Sequence, residues 1–167
     1  MKKTFLSGLL LFVAAVTLSN CSKDETTDPT LPSHFPDPKF RAELVATYNL
    51  KLTSDQTDID VNNEENKKLF ANTTKLEVQQ KEITTLQGIE YFTALTYLDC
   101  DYNQLTSLDV SKNTMLIKLY CSENQLTSLD VSKNTALIKL YCSENQLTSL
   151  DVTKNTALTE FACSDNQ

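Results

Sequence analysis

Histidine is almost missing from this chain of 167 residues. The only one, His34, precedes the first repeat cysteine, Cys100, by more than sixty positions. A Cys–His or Ser–His–Asp arrangement therefore lacks its base. Glycine is nearly as scarce: after the first twenty residues only Gly88 remains, so no glycine-rich loop can cradle a phosphate. Basic side chains are outnumbered, 15 against 22 acidic, for a net charge of −7. Without Lys2 and Lys3 the balance is 13 to 22, a net −9, which repels nucleic acid and anionic membrane faces. Beyond residue 20 no long apolar run recurs. Asp99 and Asp101 stand close enough for paired-carboxylate chemistry, but on a solvent-facing strand with no apolar wall to raise a pKa. These shortages point to a protein that is not an enzyme and needs no cofactor.

What the chain has in abundance is repetition. LIKLYCSENQLTSLDVSKNTA, residues 116–136, recurs at 137–157 with one change, Ser132 to Thr153. A fixed period of 21 makes each unit one coil of a solenoid and each repeated position a column of stacked side chains. One column series runs Leu95, Leu98, Cys100, Asn103, Leu105, and it recurs as Leu116, Leu119, Cys121, Asn124, Leu126. It recurs again as Leu137, Leu140, Cys142, Asn145, Leu147, and then as Leu158, Phe161, Cys163, Asn166. The second half of each unit echoes the first, as in Leu105, Leu108, Val110 and Asn113, so each coil reads as a 10 + 11 doublet with a short strand on either side. Apolar residues at alternate strand positions point inward and are buried as continuous columns.

The series LxxLxCxxNxL resembles the leucine-rich repeat signature, held four times at one spacing. The doubled 21-residue variety resembles that of Bacteroidetes leucine-rich repeat surface lipoproteins. An earlier unit, with Leu76, Val78, Ile83, Leu86, Ile89 and Phe92, is similar to the 22-residue repeat of internalins, with LQGIEYF as a helical turn on the outer side. The resemblance covers residues 35–167. It implies an α/β repeat solenoid: a short right-handed leucine-rich arc of parallel strands with a small helical N-terminal cap. It also implies that Asn103, Asn124, Asn145 and Asn166 form a buried structural ladder, bonding main-chain groups of adjoining coils.

Before the repeats, Asp37 is an N-cap, Pro38 suits the first helical position, and Phe40, Leu44 and Tyr48 fall on one helical face that Asn49 stops. A second helix starts at Asn62 or Asn63, with Glu64 and Glu65 in its first turn, and ends near Phe70. The segment between them, LTSDQTDIDVNN, lacks the glycine and the correctly placed final glutamate of a calcium loop, and reads as a capping turn. Residues 1–20 read as a lipoprotein signal peptide, since Leu18-Ser19-Asn20-Cys21 resembles a bacterial lipobox with Cys21 as the lipidation site. Residues 21–34 read as a flexible tether, residues 35–72 as the helical cap, and residues 73–167 as one 22-residue unit, three 21-residue units and a half unit. Lys23-Asp24-Glu25 resembles the signal that carries such lipoproteins to the outer face of the outer membrane. The expected location is therefore the outer membrane, lipid-anchored and facing the cell exterior.

The cysteine column does not suit a metal. Four thiols evenly spaced along a line about 14 Å long cannot surround one tetrahedral zinc. Inward-facing cysteines instead behave as small hydrophobes. Candidate binding residues are the outward positions of the first strand: Tyr97, Lys118, Lys139 and Glu160 in one column, Asp99, Tyr120 and Tyr141 in the next. Tyrosine joins apolar area to a hydroxyl at low entropy cost, which suits recognition. The same row also reads as aromatics that merely pack on one another, and the sequence leaves both readings open.

The function expected is a non-enzymatic cell-surface binding or adhesion module. Its concave face would recognise an extracellular protein or glycan, with membrane attachment through lipid and no nucleic-acid partner. The alternative is a structural accessory lipoprotein docking a partner in an outer-membrane complex. The chain stops at Gln167 inside a coil, which reads either as a fragment of a longer repeat protein or as an uncapped coil that associates with another molecule.

Overall fold

The computed structural model describes residues 33–167. The expected signal peptide, the expected lipidation site Cys21, Lys23–Glu25 and all but the last two residues of the expected tether lie outside them. The chain opens on helix α1 (Pro38–Tyr48), whose N-cap Asp37 accepts from the backbone N–H groups of Lys39 and Phe40. Asn49 ends it in the left-handed region at φ 53°. Helix α2 (Glu64–Asn72) is capped by Asn63, with Glu64 and Glu65 favourably placed in its first turn, and runs two residues past Phe70. Between the helices a single antiparallel bridge, Leu52 to Ile59, closes a small turn.

Buried polar groups sew the cap to itself and to the repeats. Asn66 bridges both main-chain groups of Lys51 and the carbonyl of Asp60. The second oxygen of Asp37 accepts from the Thr84 N–H at 2.7 Å and its hydroxyl at 2.8 Å. Burial opposes charge on Asp37, but these bonds and its helix-capping bonds outweigh it and hold the carboxyl below its ordinary pKa. Asp58 accepts from the backbone of His34 at 2.7 Å and of Phe35 at 3.2 Å. The His34 imidazole also lies edge-on to Tyr91 at 5.9 Å. Phe35 is fully buried, and these contacts tie His34 to the cap beside it.

Phe35 also explains Gly88. A Cβ there would fall 2.2 Å from the Phe35 ring, at a φ of +103° that side chains rarely adopt. The short 3-10 helix Ile89–Tyr91 follows it, as the helical turn of the first unit.

Five short parallel strands follow in chain order: β1 (Lys75–Glu77), β2 (Tyr97–Asp99), β3 (Lys118–Tyr120), β4 (Lys139–Tyr141) and β5 (Glu160–Ala162). Lys75 pairs with Tyr97, Tyr97 with Lys118, Lys118 with Lys139 and Lys139 with Glu160, so the register advances by one repeat per strand. In β2, β3 and β4 the central leucine is fully buried and its neighbours are half-buried. One core runs unbroken from Phe35, Phe40 and Phe70 of the cap to Cys142 and Leu147. The molecule is a parallel-strand leucine-rich repeat solenoid.

The doublet reading needs correction. Among the described residues the sheet occupies one side only, and no second ladder forms along Leu105–Val110 or its equivalents. Each coil there sends one backbone bond to its neighbour, as from Gln125 N–H to the Leu105 carbonyl at 2.9 Å. The aspartates are the cause: Asp109, Asp130 and Asp151 accept from the N–H groups of Ser111, Ser132 and Thr153, turning the backbone locally instead of along a ladder.

Two asparagine ladders close the corners. The amide nitrogen of Asn124 donates to the carbonyls of Cys100, Cys121 and Ser122, and its oxygen accepts from Leu105 N–H. Asn103, Asn145 and Asn166 repeat this pattern. The residues before them, Tyr102, Glu123, Glu144 and Asp165, hold φ between 51° and 56°. That left-handed corner costs roughly 1–2 kcal/mol per non-glycine residue, which the amide bonds offset. Asn113, Asn134 and Asn155 form a second ladder at the opposite corner, where Asn134 donates to the carbonyls of Val110 and Asn113. The sequence pattern contains this ladder, but reading it as an echo of the first hides its role.

Candidate recognition face

The outward positions of the strands line up as register requires. Lys75, Tyr97, Lys118, Lys139 and Glu160 form one row; Glu77, Asp99, Tyr120, Tyr141 and Ala162 form the next. All seven candidate residues therefore come to one surface, and each is at least partly exposed.

The tyrosines are stacked. Tyr120 and Tyr141 lie 5.1 Å apart between ring centroids and only 10° from parallel. Tyr97 reaches diagonally to Tyr120 at 5.4 Å, tilted by 40°. Aromatic pairs of this kind contribute about 0.5–1.5 kcal/mol beyond the area they bury. Cations border the stack: the Lys75 ammonium sits 5.1 Å from the Tyr97 centroid and that of Lys118 6.0 Å from it. Burial, then the neighbouring Asp99 carboxylate, pushes the Tyr97 hydroxyl up to about 12.

At the far end Glu160 links two partners. It accepts from the Tyr141 hydroxyl at 2.8 Å and pairs with Lys139 at 2.6 Å. The bonds from Lys139 and then Tyr141 hold its carboxyl below the ordinary value, and its bond in turn raises Lys139. On the other margin run Ser122, Ser143 and Ser164, then the acidic corner of Glu123, Glu144 and Asp165. Ile117 and Ile138 flank the lysine row, and Ile138 is 39% exposed. Sequence reasoning misses these isoleucines, because they look like core residues until the turn before each strand places them outside.

Asp101 corrects the sequence reading most clearly. Its carboxylate accepts from Ser122 N–H at 2.6 Å and is half-buried. Burial, with the nearby Asp99 and Glu123 charges, pushes it up to about 6 despite that bond. Asp99 is also raised, first by burial. The repeat pattern does not foretell this burial, because the later coils place serine where Asp101 stands.

Three of the repeat cysteines are inert core thiols. Cys100, Cys121 and Cys142 are buried and free, whereas Cys163 is exposed. Burial pushes the Cys100 and Cys121 thiols well up and Cys142 to about 12, so each remains a protonated, weakly reactive group. Cys100 donates its S–H to the Tyr120 carbonyl at 3.2 Å. Among the described residues no cluster of three or more histidine, cysteine or acidic side chains suits a metal, and no serine or cysteine donates to the His34 imidazole. No described helix is long and apolar enough to cross a membrane.

No family model matches the chain. Over 80 residues, 48% of its length, it is 40% identical to internalin J of Listeria monocytogenes serotype 4b, of which that stretch is 8%. A solved functional domain of internalin J, which includes a cysteine ladder, superposes with a TM-score of 0.69 at 40% identity, over 79% of this chain and 27% of that one. Internalin F of the same species superposes with a TM-score of 0.64 at 24% identity, over 84% of this chain and 48% of that one, a likeness of fold alone. The chain thus spans less than half the length of these relatives, and it is a leucine-rich repeat protein similar to internalins.

Proposed function

We propose that the chain is a non-enzymatic recognition module, displayed outward from the outer membrane on a lipid at Cys21, whose concave strand face binds an extracellular protein or glycan. The observation that carries this reading is the row of Tyr97, Tyr120 and Tyr141, held in a fixed stack and bordered by Lys118, Lys139 and Glu160. Rigid aromatics with polar edges supply contact area at little entropy cost, and such residues dominate interface energetics. The likeness to internalin J, a protein with the same repeat architecture, supports a binding role over a catalytic one. The relevant face carries both charge signs, so it discriminates by pattern and not by net charge.

Three measurements test the proposal together. Protease shaving of intact cells should remove residues 33–167, and Cys21→Ala should release the chain from the membrane fraction. Purified chain should compete with whole cells for the glycan- or protein-coated surface that retains them. A protein that stays protease-protected in intact cells contradicts surface display. Retention that purified chain does not reduce contradicts recognition and favours the accessory, complex-docking role.

A further inference from the structure

The tyrosine row stops one coil before the strands do. Tyr120 is covered by rings on both sides, Tyr97 and Tyr141. Tyr141 is covered by Tyr120 on one side, and on the other its strand partner is Ala162. Adjacent parallel strands stand about 4.8 Å apart, so the next ring in the stack would lie over a single methyl group. Among the described residues no ring fills that place.

The open face is bracketed by polar groups. On one side Glu160 is fixed by Lys139 and by the Tyr141 hydroxyl. On the other the hydroxyls of Ser143 and Ser164 lie 3.2 Å apart and remain exposed at the Ser164 end. Glu160 can accept a further hydrogen bond and Lys139 can donate one; Ser143 keeps its proton to donate, and Ser164, which donates to Ser143, can still accept. A flat apolar floor rimmed by donors and acceptors fits a ring with an apolar C–H face and hydroxyls around its edge. A purely aromatic side chain would cover the same floor but leave that rim without partners, which is unfavourable for groups drawn out of water.

We propose that the uncovered face of Tyr141, above Ala162 and between the Ser143–Ser164 hydroxyls and the Glu160–Lys139 pair, is a slot for one neutral pyranose ring. The inference rests on the recognition reading and deepens it: the partner is a glycan, and a sugar ring takes the place of the absent fourth aromatic. The net charge of −7 disfavours an anionic sugar and the Glu160–Lys139 pair leaves no unpaired charge beside the ring, so the sugar is an uncharged one.

Nuclear magnetic resonance titration of the full chain with neutral methyl pyranosides, with p-cresol in parallel as a mimic of an aromatic side chain, tests the slot. The pyranosides should shift the Tyr141 ring and Ala162 methyl signals and leave the buried Leu119 and Leu140 methyls in place. Ala162→Tyr fills the slot from within and should weaken pyranoside binding about tenfold or more, while those leucine signals show the core intact. Tyr141→Ala should weaken it similarly. Three results overturn the slot: no pyranoside shifts either signal, p-cresol alone does so, or Ala162→Tyr binds pyranosides as well as the parent. Each of these leaves the whole-cell competition result standing, so failure of the slot is distinct from failure of the recognition reading.

Discussion

Asp101 shows how a single side chain departs from the pattern around it. The three later coils carry Ser122, Ser143 and Ser164 at its position, and only Asp101 brings a charge into that half-buried place. Its native pKa, about 6, lies above the ordinary carboxyl value of 3.8, so the folded state holds the proton more tightly than the unfolded chain does. The ionised carboxylate therefore weakens the fold above about pH 6, and the penalty disappears as pH falls toward about 4. An asparagine in its place would keep an oxygen to accept from Ser122 N–H without the charge. Asp101→Asn should then unfold at higher denaturant than the parent above about pH 6, with the two curves converging near pH 4 in a urea titration. Equal midpoints at high pH would show that the carboxylate carries no penalty. Identity at this scale is legible where the signal is local. Asp37, Pro38 and Asn49 announce the ends of α1 because caps act within one turn. Burial of Asp101 is not legible, because it depends on neighbouring coils and not on neighbouring residues.

The elements are legible in proportion to how far their bonds reach. Repeats of equal length set the register of β2, β3 and β4, since one spacing stacks each position on its equivalent in the next coil. The second half of each coil misleads, because Leu126, Leu129 and Val131 carry the alternation of a strand while Asp130 diverts the backbone into a local turn. Apolar periodicity reports which side faces the core but not where the backbone donors go. The join between cap and repeats depends on a contact no pattern reveals: Gly88 lies against the Phe35 ring, which also packs near Phe70 and Tyr91 at 6.1 and 5.7 Å. Gly88→Ala should destabilise by about 2 kcal/mol or more, from the positive φ together with displacement of Phe35. Chemical denaturation read at the cap aromatics would detect it, and an unchanged midpoint would mean that Phe35 moves aside freely.

For the whole molecule, one core serves two surfaces of different character. The strand side is varied, with tyrosines, lysines and carboxylates differing from coil to coil, whereas the opposite side repeats Ser107, Ser128 and Ser149 beside Asp109, Asp130 and Asp151 without change. The sequence displays that contrast, yet does not orient the rings, so packing and recognition stand level in it. The stack fixes the tyrosines against each other and leaves each of them partly exposed. The central claim is that this row serves recognition beyond its packing. The direct test is the melting temperature of Tyr120→Ser/Tyr141→Ser, taken beside its capture by the surface that retains whole cells, with Leu119→Ala and Ser128→Ala/Ser149→Ala as references. Loss of the ring pairs should cost about 1–2 kcal/mol, less than the roughly 2–5 kcal/mol of the buried leucine, while capture falls about tenfold or more and the serine changes alter neither. A tyrosine variant that melts as low as Leu119→Ala yet is captured as well as the parent would contradict the account.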